Sequence, residues 1–193
     1  MKIFKFTAFV LAAALALAPA AGCKHDIKSS SETVKNNDIS ATVVSAEIAQ
    51  EIDVNDTIFT LNRVIDAGAQ TEDGGHYIYL DITVKNVTPN EYTLSTLNNF
   101  YITLPDGSEI SSAVRTQLYA TNNFTDKYFG SPFTVPANST FTGVIGGFVL
   151  AEGQNEFTLG FFPTREERND KSNVIKVQVT ASDIVQLPDD LKK

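Results

Sequence analysis

The chain has 193 residues, with 15 basic and 23 acidic side chains and two histidines, for a formal charge of −8. That balance argues against a basic patch for nucleic acid and against adhesion of the protein surface itself to anionic lipid. A single cysteine excludes an intramolecular disulfide, so the packing of 13 phenylalanines and six tyrosines, without any tryptophan, has to hold the fold.

The first element in chain order is a basic start, Lys2 and Lys5, followed by an apolar run from Phe6 to Leu17 broken only by Thr7. This is the layout of a secretory signal. A membrane span needs about 20 apolar residues, and this run stops short of that at Pro19. Ala20-Ala21-Gly22-Cys23 follows, and the ending resembles a bacterial lipobox, with Ala20 where leucine is the usual choice. The resemblance implies cleavage after residue 22 and a diacylglycerol joined to the Cys23 sulfur. An ordinary signal peptide would instead leave one unpaired thiol in a secreted protein, which asks for an explanation; lipidation supplies one. Each buried methylene contributes about 0.8 kcal/mol, and two or more acyl chains anchor stably. The expected address is the bacterial cell membrane or outer membrane, lipid-anchored and extracytoplasmic, with Cys23 as the membrane contact.

Residues 1–22 carry two lysines and no acids, so 13 basic against 23 acidic residues remain, a formal charge of −10 on one domain's worth of chain. Residues 23–39 are polar and serine-rich without apolar periodicity, and read as a flexible tether with a typical span of roughly 20–25 Å. His25 lies within it. The body is expected over 40–193, with a short C-terminal tail.

Residues 41–52 fit either a strand or a helix, since Val44, Ile48 and Ile52 also have helical spacing. Thr57 to Ile65 reads as a strand with weak alternation. The clearest pattern is YIYLDITVKN over 77–86, where Ile78, Leu80, Ile82 and Val84 fall on one face and Tyr77, Tyr79, Asp81, Thr83 and Lys85 on the other. Strict period two marks a half-buried strand, with turn chemistry at Asp73-Gly74-Gly75 and Thr88-Pro89-Asn90 on either side. Strands follow at 100–104, at 133–135, at 141–150 with three glycines that suggest a bulge or a close backbone crossing, at 157–161 and at 175–179. The long link 108–132 is read as a connection. Seven or eight short strands with uneven crossings predict an all-β, antiparallel, Greek-key β-sandwich, with an up-and-down barrel as the second choice.

The order YIYLDITVKNVTPN, FYITLPDG, PFTVPANSTFTGVIGGFVL and FTLGFFP resembles a family of immunoglobulin-like, also called telokin-like, bacterial lipoprotein domains of unknown function. The likeness covers roughly residues 55–182. Its most specific parts are the strand ending in Asn86 and the later proline turn with its glycine-rich strand. Ala137 stands after Pro136 where that family tends to have glycine. The resemblance implies an immunoglobulin-like sandwich and brings no catalytic residues.

Chemistry is sparse. His76 is the body's one histidine, and there is no Gly-x-Ser-x-Gly, Walker-type loop or HExxH. An enzyme is not expected, and neither is a cofactor. Glu72, Asp73 and His76 crowd one hairpin as metal-ligand candidates, yet their spacing is not that of a zinc site; turn chemistry for Asp73 and a solvated His76 is the simpler reading. Tyr77 and Tyr79, on the outward face of their strand, offer flat contact area with a hydroxyl, unless a loop or the N-terminal segment covers them. The stretch 118–133 mixes Tyr119, Phe124, Tyr128 and Phe129 with small polar residues, as recognition loops do, or else pins itself down as a compact lid. Tyr77, Tyr79, Phe124, Tyr128 and Phe129 are therefore the candidate binding residues. The expected function is a non-catalytic, lipid-anchored binding module for an unidentified protein or glycan at the cell surface; the alternative is an envelope carrier or sensor of a small ligand or metal ion.

Overall fold

The run expected at 77–86 is a strand over His76–Asn86, and its Ile78, Leu80, Ile82 and Val84 are all fully buried. The computed structural model describes residues 30–36, 39–54, 56–163 and 173–193. Residues 1–22, Cys23, the 24–29 part of the expected tether and the charged 164–171 loop lie outside the described residues.

In chain order the strands are β1 (Ser30–Asn36), β2 (Ile39–Ala46), β3 (Ile52–Val54), β4 (Thr57–Ala69), β5 (His76–Asn86), β6 (Tyr92–Leu94), β7 (Phe100–Thr103), β8 (Glu109–Ser111), β9 (Phe133–Val135), β10 (Ser139–Leu150), β11 (Phe157–Phe161), β12 (Val174–Val179) and β13 (Ile184–Gln186). A one-turn helix α1 (Thr96–Asn99) precedes β7, and α2 (Val114–Asn123) lies between β8 and β9. One sheet runs β1-β2-β12-β11-β7-β8; the other runs β10-β5-β4-β13, with β3 also on β4; β6 and β9 pair as a small third ribbon. The chain makes the β4–β5 hairpin in one sheet, crosses to β7–β8 in the other, returns to set β10 beside β5, and crosses again to β11–β12. That is an all-β Greek-key sandwich.

Three expectations change. Among the described residues, the eight strands of four or more residues match the expected number, but five three-residue strands join them, and two pairings, β12–β2 and β13–β4, are parallel. Residues 30–36, read as tether, form β1 and pair with β2 from Ser30↔Ser45 to Asn36↔Ile39. Within 108–132, read as a connection, lies the ten-residue helix α2. This helix has almost no sequence signature. Ala113 caps it without a side-chain bond, and only Thr116 and Ala120 are buried, so no apolar stripe announces it. The ambiguous 41–52 stretch resolves into β2, a turn with Ala49 at positive φ, and β3.

The main core lies between the sheets. Phe59, Phe100 and Phe161 form a stack at its centre, with ring centroids 4.6 Å apart for Phe59–Phe161 and 4.7 Å for Phe100–Phe161. At the end closed by the β6–β9 ribbon, buried Asn86 donates to the carbonyls of Asn90 (2.7 Å) and Pro136 (3.1 Å) and accepts from the Thr88 amide and hydroxyl. Asn138 takes the left-handed conformation in the turn after Pro136 (φ 47°), so Ala137 is accommodated without glycine. Asn86→Ala removes these four bonds from the turn and is expected to cost about 3 kcal/mol in urea unfolding; a change below about 0.5 kcal/mol would show the turn to be held by packing instead.

Candidate functional site

The outward face of β5 is built from Tyr77, Tyr79, Asp81, Thr83 and Lys85, and the structure divides it in two. Tyr77 and Tyr79 are buried, Tyr79 completely. The cover is α2 with the segment that follows it. The Tyr79 ring lies 4.6 Å from Phe124 and 6.0 Å from Tyr128, while Tyr77 meets Tyr119 edge-on at 5.5 Å. Ile65 from β4, Val144 from β10, Ala120 from α2 and Leu191 complete this second core. Both candidate aromatic features, the β5 tyrosines and the 118–133 loop, thus bury one another. Tyr77, Tyr79 and Phe124 are corrected from contact residues to core residues, and Tyr128 is half-buried as a wall of the same cluster. The physical reason is that no hydrophobic ring on an outward strand face stays in water when a loop of matching rings is within reach.

The hydroxyls are satisfied inside. Tyr79 donates to the Thr116 carbonyl at 2.6 Å and Tyr128 to the Gly146 carbonyl at 2.8 Å. Thr116 in turn ties α2 to the β10 bulge, its hydroxyl donating to the Gly147 carbonyl and accepting from the Gly147 amide, both at 2.9 Å. The register of β10 on β5 shifts between Gly146 and Phe148, so the expected bulge is there. The close crossing is there too, since a Cβ on Gly147 would lie 2.4 Å from the Ile78 carbonyl oxygen.

Burial pushes the Tyr79 phenol far above the ordinary tyrosine value, with neighbouring Tyr128 adding to the effect; burial alone raises Tyr128. A raised folded-state pKa means stability that is complete below pH 10 and lost as pH climbs towards the folded value. For Tyr79 the loss is about 1.4 kcal/mol per pH unit above 10. In a spectrophotometric titration, phenolate absorbance of the native protein at pH 11 is expected to fall short of the six-tyrosine total recovered in denaturant. A native total equal to the denatured one would contradict the second core.

Of the five candidate rings, Phe129 alone is exposed, at 38%. It lies over Gly143, where a Cβ would collide with the ring at 2.4 Å, and meets Phe141 edge-on at 4.9 Å. Two grooves open on either side of it. One, of about 740 Å³, is lined by Phe129, Pro132, Phe133, Thr140 and Phe141. The other, of about 570 Å³, is lined by Phe129, Arg63, Asp81, Lys127 and Thr142. Both cations of this second groove are engaged, Arg63 with Asp81 at 2.8 Å and Lys127 with Asp190 at 2.6 Å, so it is a polar wall more than an anion site. Lys127–Phe129 also pairs with the free edge of β10, through the Val144 amide to the Lys127 carbonyl and the Phe129 amide to the Val144 carbonyl. By ladder alternation, Thr140 and Thr142 present backbone groups on that same edge, and no described residue pairs with them there.

The metal candidates do not converge. His76 Nδ1 lies 2.8 Å from Asp66 Oδ2 on neighbouring β4, whose other oxygen accepts the Gly68 amide at 2.7 Å. Glu72 and Asp73 are exposed. The Thr71 hydroxyl and local amides hold the Asp73 carboxyl below its usual range, the chemistry of a turn. Among the described residues, no three His, Cys, Asp or Glu side chains come together to hold a metal ion. Thr116 and Leu191 were not candidates from the sequence, because each acts through a partner distant in the chain, and Asp66 was not because its pairing with His76 is set by the β4–β5 register.

Fold and site together define a β-sandwich with a main core between its sheets, an outer cluster sealed by a helix, and an aromatic edge left open. The chain belongs to the family described as Domain of unknown function (DUF4352), which matches residues 30–171. No curated protein matches it. Among solved structures it is similar to the yjhA protein from Bacillus subtilis (15% identity, 68% of this chain and 97% of that one, TM-score 0.46). It is also similar to an uncharacterized beta-sandwich protein from Clostridium difficile (15%, 69% and 92%, 0.42) and to a functionally unknown protein from Listeria monocytogenes (12%, 79% and 88%, 0.45).

Proposed function

We propose that this protein is a non-catalytic, lipid-anchored module of the bacterial envelope that displays an immunoglobulin-like domain, with the Phe129 edge as its contact surface for a protein or glycan. The anchor rests on the sequence around Cys23. The immunoglobulin-like reading is supported by strand order: β2-β12-β11-β7-β8 facing β4-β5-β10 follows the arrangement of that sandwich, a GFC-type sheet on an ABE-type one. The observation that carries the contact surface is the exposed Phe129 ring, backed by Gly143 and flanked by two grooves. Rigid aromatic anchors between grooves are what binding surfaces use.

Two experiments test it. Cells fed labelled fatty acid are expected to label the wild-type protein and not Cys23→Ser, which leaves the membrane fraction; label retained on Cys23→Ser would refute the anchor. On envelope preparations, the purified body is expected to bind saturably, and Phe129→Ala to weaken that binding about tenfold or more with Tm lowered by no more than about 4 °C. Equal binding by the variant would remove Phe129 as the contact.

A further inference from the structure

The second core is closed by a segment that touches the fold in an unusual way. After β13, residues 187–193 (Leu-Pro-Asp-Asp-Leu-Lys-Lys) leave β4 and cross the outer face of the sheet. Leu187 is half-buried there, and Leu191 alone is completely buried, seated among Ile65, Tyr79, Ala120, Phe124 and Val144. The backbone beside it pairs as a strand would. The Thr125 amide donates to the Leu191 carbonyl and the Lys193 amide to the Asn123 carbonyl, both at 2.9 Å, and Phe124 and Lys192 form an antiparallel bridge. Lys127 meets Asp190 at 2.6 Å, and Lys193 Nζ donates to the Thr121 carbonyl.

The trough under this strap does not depend on it. Its tyrosine walls are fixed to the Thr116 and Gly146 carbonyls, and its rim to Val144, by bonds that involve no residue of 187–193. Space remains along the strap: grooves of about 570, 410 and 360 Å³ border Leu191, Leu187 with Lys192, and Lys193. Main-chain pairing with one side-chain socket is how folded domains take extended peptides, the pairing supplying affinity and the socket selecting the residue.

We propose that the trough of Tyr79, Phe124 and Tyr128 is a peptide-binding site that the chain fills with its own 187–193 segment, and that a partner's extended peptide enters by replacing it. The occupant's chemistry follows from the strap: a leucine-type side chain for the socket, an acidic residue just before it for Lys127, and a basic residue two positions after it for the Thr121 carbonyl. The site adjoins the Phe129 edge, sharing the groove lined by Lys127 and Leu191, and does not rest on the lipid anchor. A tethered strap acts at a millimolar-scale effective concentration, so a free peptide competes only at comparable concentration.

The test uses the intact chain and a synthetic LPDDLKK peptide. At millimolar peptide, amide hydrogen exchange in the chain's own residues 190–193 is expected to accelerate at least threefold while Thr125 stays protected. A peptide with alanine in place of the second leucine leaves the exchange of residues 190–193 unchanged. In the full-length Leu191→Ala chain, the native peptide binds at least tenfold more tightly than in wild type and raises Tm. Unchanged exchange in the wild-type chain at millimolar peptide overturns the proposal, whether or not Leu191→Ala folds. So does equal action of the alanine peptide.

Discussion

Tyr79→Ala is expected to destabilise the protein by about 3–5 kcal/mol, the range for removing a buried aromatic side chain, and to lower Tm by roughly 10 °C in a domain of this size. Phe129→Ala, on the same side of the molecule, is expected to change stability by about 1 kcal/mol or less. The contrast follows from placement. The Tyr79 ring has no exposure and touches both Phe124 and Tyr128, and its hydroxyl is bonded inside. Phe129 rests against Gly143 and Phe141 with over a third of its surface in water. Tyr79→Phe separates packing from hydrogen bonding: it keeps the ring and removes the hydroxyl's bond to the Thr116 carbonyl, for about 1–2 kcal/mol. Urea unfolding of the three variants decides the matter, and a neutral Tyr79→Ala would return this residue to the surface.

Gly147→Ala is expected to cost at least about 3 kcal/mol, towards the upper end for overpacking, or to prevent folding. The added methyl would sit 2.4 Å from the Ile78 carbonyl oxygen and 3.0 Å from the Tyr79 ring. Neither side yields easily. Ile78 is held in the β5 ladder, and Gly147 is clamped through its amide by Thr116 and through its carbonyl by Ser112, Ala113 and Thr116. Gly130→Ala, with nothing within 4 Å of the new methyl, is the control and is expected to be near neutral. Comparable losses at both positions would show that the β10 bulge does not form the close crossing described.

Much of the sandwich was legible in the sequence because in β5, β11 and β12 an apolar residue recurs at every second position, and those residues are buried. The outer face of β5 was not. Period two places Tyr77 and Tyr79 opposite the main core without saying what lies beyond them, and their cover comes from residues some forty positions later. Helix α2 escaped notice for a related reason: it is fastened by Thr116 and by the rings around it instead of by an apolar stripe of its own. Leu191 was hidden in a polar tail, where a lone leucine among aspartates and lysines carries no periodicity. The glycines of β10 were read correctly because a close crossing demands glycine whichever segment does the crossing.

If the exposed Phe129 ring is the contact of the envelope partner, site-specific photocrosslinking on intact cells will show it. A benzophenone side chain placed at position 129 is compared with the same group at Val87 and Val185, apolar residues of similar exposure elsewhere on the surface. One discrete adduct is expected from position 129 and none from 87 or 185. Adducts from 87 or 185 with none from 129 would contradict that contact.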